Sequence, residues 1–379
     1  MEKIFFLFLS FLSCKNIQPI TGIDETYVPV PVAQEQYDGP YVQYFGNQVW
    51  VSYIEDVGGE KRLKKETLPL RKKDNLSLRV ATDVPGKSFE VDLKKQLKIE
   101  QSEFSQPAKL MVLSDIEGNF GAVRKLLQAQ KIIDEDFKWK FDNGHLVLIG
   151  DFFDRGEQVT EVLWLIYSLE EKAKANGGYV HFVLGNHEIM NMTNDLRYLN
   201  KKYLDNAYIL SQPYMALYGE DSELGRWLRT KNIVEKIGNL LVAHAGISSA
   251  VNKMNISVPQ INKLARPYYA DTVFSYEDPK SDILFSDSGP FWYRGYYEKT
   301  TPAISAQIDS TLQQYKVNHI ITGHSIVADT VSVWYNGKLF NTDVPHASGK
   351  SEALLIDKQK FFRVNAQGGK VLVMDGSVK

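Results

Sequence analysis

The chain has a single cysteine, Cys14, in 379 residues. A cytosolic enzyme of this length would ordinarily carry several, whereas a chain exposed to an oxidising compartment gains by having no spare thiol. Charge of one sign is also missing: 44 Lys and Arg against 46 Asp and Glu leave a net of -2, with no long-range pull towards nucleic acid or acidic lipid. Past the first residues no run is long and apolar enough to cross a membrane. There is no low-complexity tract and no repeat with a solenoid period. No Gly-x-Ser-x-Gly string offers a serine nucleophile. Gly349-Lys350-Ser351 ends as a nucleotide-binding loop does, but Val344 stands where that loop needs its first glycine. What is present is 44% hydrophobic and 12% aromatic sequence, enough for a sizeable core in one large domain or two.

The first residues carry their own signal. Lys3 precedes an apolar run from Ile4 to Leu12, too short for a spanning helix and the right length for a signal-peptide core. Phe11-Leu12-Ser13-Cys14 follows and resembles the lipobox of bacterial lipoproteins, with Phe11 and Glu2 as departures from the commonest form. The expectation is a signal peptide over residues 1–14 and lipidation of Cys14, giving an exported, membrane-anchored bacterial lipoprotein of the periplasm or cell surface. Residues 15–105 show short alternating runs instead of helical periodicity, and read as a small β-rich module. Tyr41–Phe45 and Val49–Tyr53 flank the turn Gly46-Asn47, and Ser77–Ala81 with Ser88–Leu93 form a second hairpin. The basic cluster Lys61, Arg62, Lys64, Lys65, Arg71, Lys72 and Lys73 between them reads as a solvated loop.

From residue 107 onward the texture changes to short, continuous apolar runs, the mark of strands buried on both faces: Lys109–Leu113, His145–Ile149, Tyr179–Leu184, Leu240–Ala243 and His319–Thr322. Helical spacing lies between several of them. Val159, Val162, Leu163, Ile166 and Leu169 share one face of a helix over 158–175, and Val123, Leu126 and Leu127 one over 120–131. Strands alternating with helices imply an α/β core. Each apolar run ends in residues that bind metal or phosphate: Asp115-Ile116-Glu117-Gly118-Asn119, then Gly150-Asp151-Phe152-Phe153-Asp154-Arg155-Gly156, Gly185-Asn186-His187-Glu188, His244-Ala245-Gly246 and Gly323-His324-Ser325. Ligands of α/β sheets gather beyond the carboxyl ends of strands, so these groups should meet in space.

GDFFDRG and GNHE resemble, residue for residue, the GDxxDRG and GNHE strings of the calcineurin-like metallophosphoesterases, and within them of the PPP-type phosphatases, over residues 107–345. The resemblance implies a β-sandwich core flanked by helices over residues 107–379. It implies that Asp115 and Glu117 hold a first divalent metal, that Asp151 bridges it to a second, and that Asn186, His244 and His324 complete the second. It implies further that His187 protonates the leaving oxygen with Asp154 orienting it, and that Arg155 grips phosphate. Hydroxide generated between the two cations would then attack a phosphate monoester of a protein or small molecule. His324-Ser325-Ile326-Val327 matches the His-x-x-Val of the PPP branch and lacks the second histidine of many diesterases, which favours monoesters. A diesterase of the same fold, or a surface lipoprotein that binds without turnover, are the alternatives.

One position departs from the family. Asp-x-His is replaced by Asp115-x-Glu117, and the added carboxylate favours hard cations, Mn²⁺ foremost, with Fe, Mg²⁺ and Zn²⁺ also admissible. Two further arginines are candidates for a phosphate clamp: Arg294, set among Gly289, Pro290 and aromatic residues, and Arg197, nine residues beyond Glu188. His145, His181 and His319 lie within strands and read as structural, and nothing in the sequence fixes His346. The partners expected are a phosphorylated substrate and, through the lipid, a membrane. Nucleic acid is not among them, and the chain is expected to be a monomer.

Overall fold

The computed structural model describes residues 36–273, 276–298 and 301–376, so the run Ile4–Leu12 and Cys14 lie outside the described residues. The five apolar runs form strands in two six-stranded sheets. In one sheet Lys109–Leu113, His145–Ile149 and Tyr179–Val183 pair in parallel. Glu352–Asp357 joins antiparallel on the free side of Lys109–Leu113 and is extended by Lys360–Asn365 and Lys370–Asp375. In the other, Leu240–Ala243, His319–Thr322 and Leu339–Asn341 are parallel, with Val234–Ile237 antiparallel beside the first of them. Ser332–Trp334 and Glu103–Phe104 close its two edges.

Side chains alternate along a strand, and this explains why the runs are apolar throughout. Leu110 and Val112 point into one buried cluster with Val147, Ile149, Val183, Val242, Ile321 and Phe340, the layer between the sheets. Their neighbours Met111 and Leu113 belong to a second cluster with the helices. Each such side chain contributes about 1.5–3 kcal/mol when fully buried. The strand histidines are structural. His145 Nδ1 and His181 Nε2 lie 2.9 Å apart, His181 Nδ1 meets Glu235 Oε2 at 2.7 Å, and His319 Nδ1 donates to the Gly337 carbonyl at 2.7 Å.

The helix Val159–Ala175 is buried almost all round, not on the single face that its spacing implies. Strands of the N-terminal region cover its other face: Tyr41, Val42, Leu78, Val80, Phe89 and Val91 share its core, and Trp164 Nε1 donates to the Pro40 carbonyl at 2.8 Å. Its buried acids are consequently tied inside. Glu170 accepts from Lys231 Nζ at 2.6 Å and pairs with Lys94. Lys61, Arg62, Lys64 and Lys65 of the basic cluster also depart from expectation, while Arg71, Lys72 and Lys73 lie in the short surface turn Leu70–Asn75. Glu60–Pro69 is not a loop but the outer strand of the sheet Gln36–Phe45, Gln48–Val57, Glu60–Pro69. Both its faces are solvated, so no apolar alternation marks it, and its charges suit an edge strand.

Candidate active site

The loops that follow the parallel strands bring distant residues together at one end of both sheets. Their backbones are tightly folded: Asp115, Glu117, Asp151, Asp154, Arg155 and His324 all adopt positive φ, between 50° and 68°. Non-glycine residues hold such conformations at a cost, and they concentrate at functional sites. Two glycines allow the close approach. A side chain at Gly185 would overlap Asp151 Oδ1, and one at Gly323 would overlap Asp115 Oδ2. Glu188 fixes the turns from below, accepting from the backbone N–H of Asp151 at 2.9 Å, of Phe152 at 2.8 Å and of Gly185 at 2.7 Å.

Asp151, His244 and His324 present donor atoms within 4.8 Å of one another, all buried. The tautomer of His244 sharpens this. Its Nδ1–H donates to the Ile149 carbonyl at 2.7 Å, so the neutral ring directs the Nε2 lone pair at Asp151 Oδ2, 3.1 Å away, and Asn186 Oδ1, 3.0 Å away. Three electron-rich atoms therefore face one point. Burial pulls His244 down, but the charge of Asp151 and its hydrogen bond outweigh this and lift it to about 9, so a proton would otherwise sit among these atoms. A divalent cation satisfies the same set with more charge, and oxygen and imidazole donors suit one. The donor set thus fits a divalent metal.

Asp115 adjoins this group, its two carboxylate oxygens each 3.2 Å from the backbone N–H of His324. Burial, then the charge of Asp343, pushes its carboxyl well up. Asp151 goes the other way: burial raises it, but the charges of His244, His187 and His324 hold it below the usual carboxylate range. His324 is lowered to about 3 by burial and by His244.

Beside the metal-type donors stands an acid–base pair. His187 Nδ1 lies 2.5 Å from Asp154 Oδ2, and the His187 backbone N–H donates to Asp151 Oδ1 at 2.9 Å. Asn191 Nδ2 donates to Asp154 Oδ1 at 2.9 Å, and Tyr214 donates to Asn191 Oδ1 at 2.5 Å. Burial lowers His187, but Asp151 and Asp154 together outweigh this and raise it, which favours the protonated ring.

The remaining candidates are placed less uniformly. The Glu117 carboxylate lies against the Arg155 guanidinium instead of among the donor atoms of Asp151, His244 and His324. Arg155 also stacks 5.2 Å from the centre of the half-exposed Tyr198 ring, which has the His187 ring at 5.3 Å and the Arg197 guanidinium at 5.8 Å. Arg294 donates to the His324 carbonyl at 3.0 Å and to Ser325 Oγ at 3.1 Å, at the mouth of the site. Arg197 is exposed and its guanidinium is taken by Asp195, 2.7 Å away. His346 is buried with neither ring nitrogen in a well-formed hydrogen bond. Sequence reasoning missed Asp343, a buried carboxylate electrostatically linked to Asp115 and Asp151, and missed Asn191. Asp343 follows a three-residue strand and carries no pattern, whereas Asn191, four residues after His187 on one helix, had a helical spacing that could have revealed it.

The sequence profile of the calcineurin-like phosphoesterase family matches residues 108–328. A cold-active protein-tyrosine phosphatase of a psychrophilic Shewanella species has the same fold, with a TM-score of 0.80 and 35% identity over 89% of this chain and all of that one. Shewanella-like protein phosphatase 1 of Plasmodium berghei is 27% identical over 57% of this chain and 61% of its own length. Shewanella-like protein phosphatase 2 of Arabidopsis thaliana is 31% identical over 35% of this chain and 34% of its own length. The chain therefore spans less than two thirds of these two relatives.

Proposed function

Since the chain belongs to the calcineurin-like phosphoesterase family, whose members use divalent metals, we propose that it is a metal-dependent phosphatase acting on phosphate monoesters, aryl phosphates such as phosphotyrosine among them. The observation that carries this is the convergence of Asp151, His244, His324 and Asn186 on one point, with the His187–Asp154 pair alongside. The aryl preference rests on the likeness to the Shewanella protein-tyrosine phosphatase and on the aromatic rim of Tyr198 and Trp292, the latter 6.1 Å from the His324 ring.

Asp115, Asp151, Asn186, His244 and His324 would hold two cations. When bound, these supply Lewis acidity that activates water and neutralises phosphate charge. The chain's own groups do the rest. His187, with Nδ1–H donated to Asp154, holds its second proton on Nε2 and delivers it to the ester oxygen as the P–O bond breaks. Arg155, beside Glu117, and Arg294, beside His324, offer planar guanidinium forks for the phosphate oxygens. The buried carboxylates Asp115, Asp151 and Asp343 in this region favour hard cations, so we assign Mn²⁺ ahead of Zn²⁺. We also assign the chain to a membrane surface, through lipid on Cys14, on the strength of the apolar run and the lipobox-like Phe11-Leu12-Ser13-Cys14.

Hydrolysis of p-nitrophenyl phosphate and its bis-ester by metal-stripped protein, with Mn²⁺, Mg²⁺ and Zn²⁺ added back singly, tests the reading. The monoester should be cleaved fastest with Mn²⁺. Preference for the bis-ester would point to a diesterase, and equal or higher rates with Zn²⁺ would reject the metal assignment.

A further inference from the structure

The first metal position, as the family pattern draws it, lacks its own third ligand, because the Glu117 carboxylate is engaged by Arg155. Asp343 stands in a place to supply one. It follows the strand Leu339–Asn341, which runs parallel to His319–Thr322 with Asn341 opposite Thr322, so Asp343 leaves its strand level with His324. Two contacts pin it there. Thr342 shares a hydrogen bond of 3.0 Å with Ser114, the residue before Asp115, and the Thr342 N–H donates to the Thr322 carbonyl at 2.8 Å. The Asp343 N–H itself donates to Asn341 Oδ1 at 2.8 Å.

Asp343 is 4% exposed, yet no donor among the described residues reaches its carboxylate. A buried carboxylate without hydrogen bonds is costly unless a charge meets it. Both partners of Thr342 adjoin donor residues of the site, Ser114 preceding Asp115 and Thr322 lying two residues before His324. We infer that Asp343, not Glu117, is the additional carboxylate ligand of the first divalent cation, and that Glu117 serves as the partner that holds Arg155 over the phosphate site. The substitution of the family histidine is thereby offset by a ligand from a different strand, and the freed acid becomes a positioning residue for the substrate clamp.

This inference rests on the proposed metal-dependent reaction, and its test is direct metal counting instead of turnover. Equilibrium dialysis with Mn²⁺, followed by elemental analysis and by electron paramagnetic resonance of the coupled ion pair, is applied to the full chain, Asp343→Asn and Glu117→Gln. Both substitutions preserve side-chain shape, and circular dichroism verifies the fold of each variant before metal is added. Asp343→Asn should weaken one of two Mn²⁺ sites at least about 10-fold and abolish the coupled signal, since even loss of a partner that only hydrogen-bonds to a ligand costs about 10–100-fold. Glu117→Gln should keep two ions and the coupled signal while raising KM several-fold. Loss of the coupled signal in Glu117→Gln with retention in Asp343→Asn would overturn the inference. So would two ions bound with unchanged affinity in both variants, and so would a single ion in the unsubstituted chain. Absence of monoesterase activity with any metal would instead remove the functional reading, which separates the two failures.

Discussion

At the scale of single residues, the site was legible wherever chemistry is written as a contiguous string. Asp151, Asp154 and Arg155 lie in one such string and Asn186, His187 and Glu188 in another, and the turns that carry them meet in space because Glu188 ties both to the same point. What a string cannot express is direction. Glu117 occupies a ligand position in the sequence, but a carboxylate reaches further than an imidazole and finds the Arg155 guanidinium. Asp343 was invisible because its role depends on which strand lies beside which. The assignment of His187 as proton donor makes a specific prediction. His187→Ala should cut kcat by about 10²–10⁴ with phenyl phosphate, whose leaving group needs the proton. The loss with p-nitrophenyl phosphate should be markedly smaller, because p-nitrophenolate departs without help. Equal losses on the two substrates, measured side by side, would assign His187 a role other than protonation.

At the scale of elements, continuous apolar runs identified the five strands that position the site, since burial on both faces leaves no room for polar residues. The same logic failed where an element is solvated on both faces, as in Glu60–Pro69, or covered by something far away in sequence. The helix Val159–Ala175 is the clearest case, because its polar side is buried by N-terminal strands. Glu161, on that side, has an Oε2 with no hydrogen-bond partner. Burial, then the charge of Asp38, pushes its carboxyl from 4.5 up to about 8, against the pull of Lys202. The folded chain thus holds a proton that the unfolded chain releases. The associated stability is full below about pH 4.5 and is lost as pH rises towards 8. Urea unfolding at about pH 5 and pH 8 should show Glu161→Gln gaining on the unsubstituted chain by on the order of 2 kcal/mol or more across that window. Parallel pH dependence of the two proteins would show that Glu161 is ionised in the fold.

At the scale of the whole molecule, the N-terminal strands and the phosphoesterase region share one hydrophobic core, with Asp38 joined to Asn206 at 2.8 Å and to Lys202 at 2.6 Å. Composition alone marked the strands as a change of texture, but a core shared across the change cannot be read from local pattern. The assignment to a membrane surface rests on residues before this core. With the full chain expressed in a bacterium that lipidates exported proteins, the product should partition into detergent, and Cys14→Ser should move it to the aqueous phase. Equal partitioning of both forms would argue against the anchor.

The central claim is that the atoms gathered around Asp151 hold the cations through which a phosphate monoester is hydrolysed. The most direct measurement is Mn²⁺-dependent hydrolysis of p-nitrophenyl phosphate by the metal-stripped chain beside Asp151→Asn, which keeps the side-chain shape and removes the charge between His244 and His187. Manganese-dependent turnover that falls by at least about 10²-fold in Asp151→Asn is the predicted result. Undiminished turnover in Asp151→Asn, or none in the unsubstituted chain with any divalent metal, would contradict it.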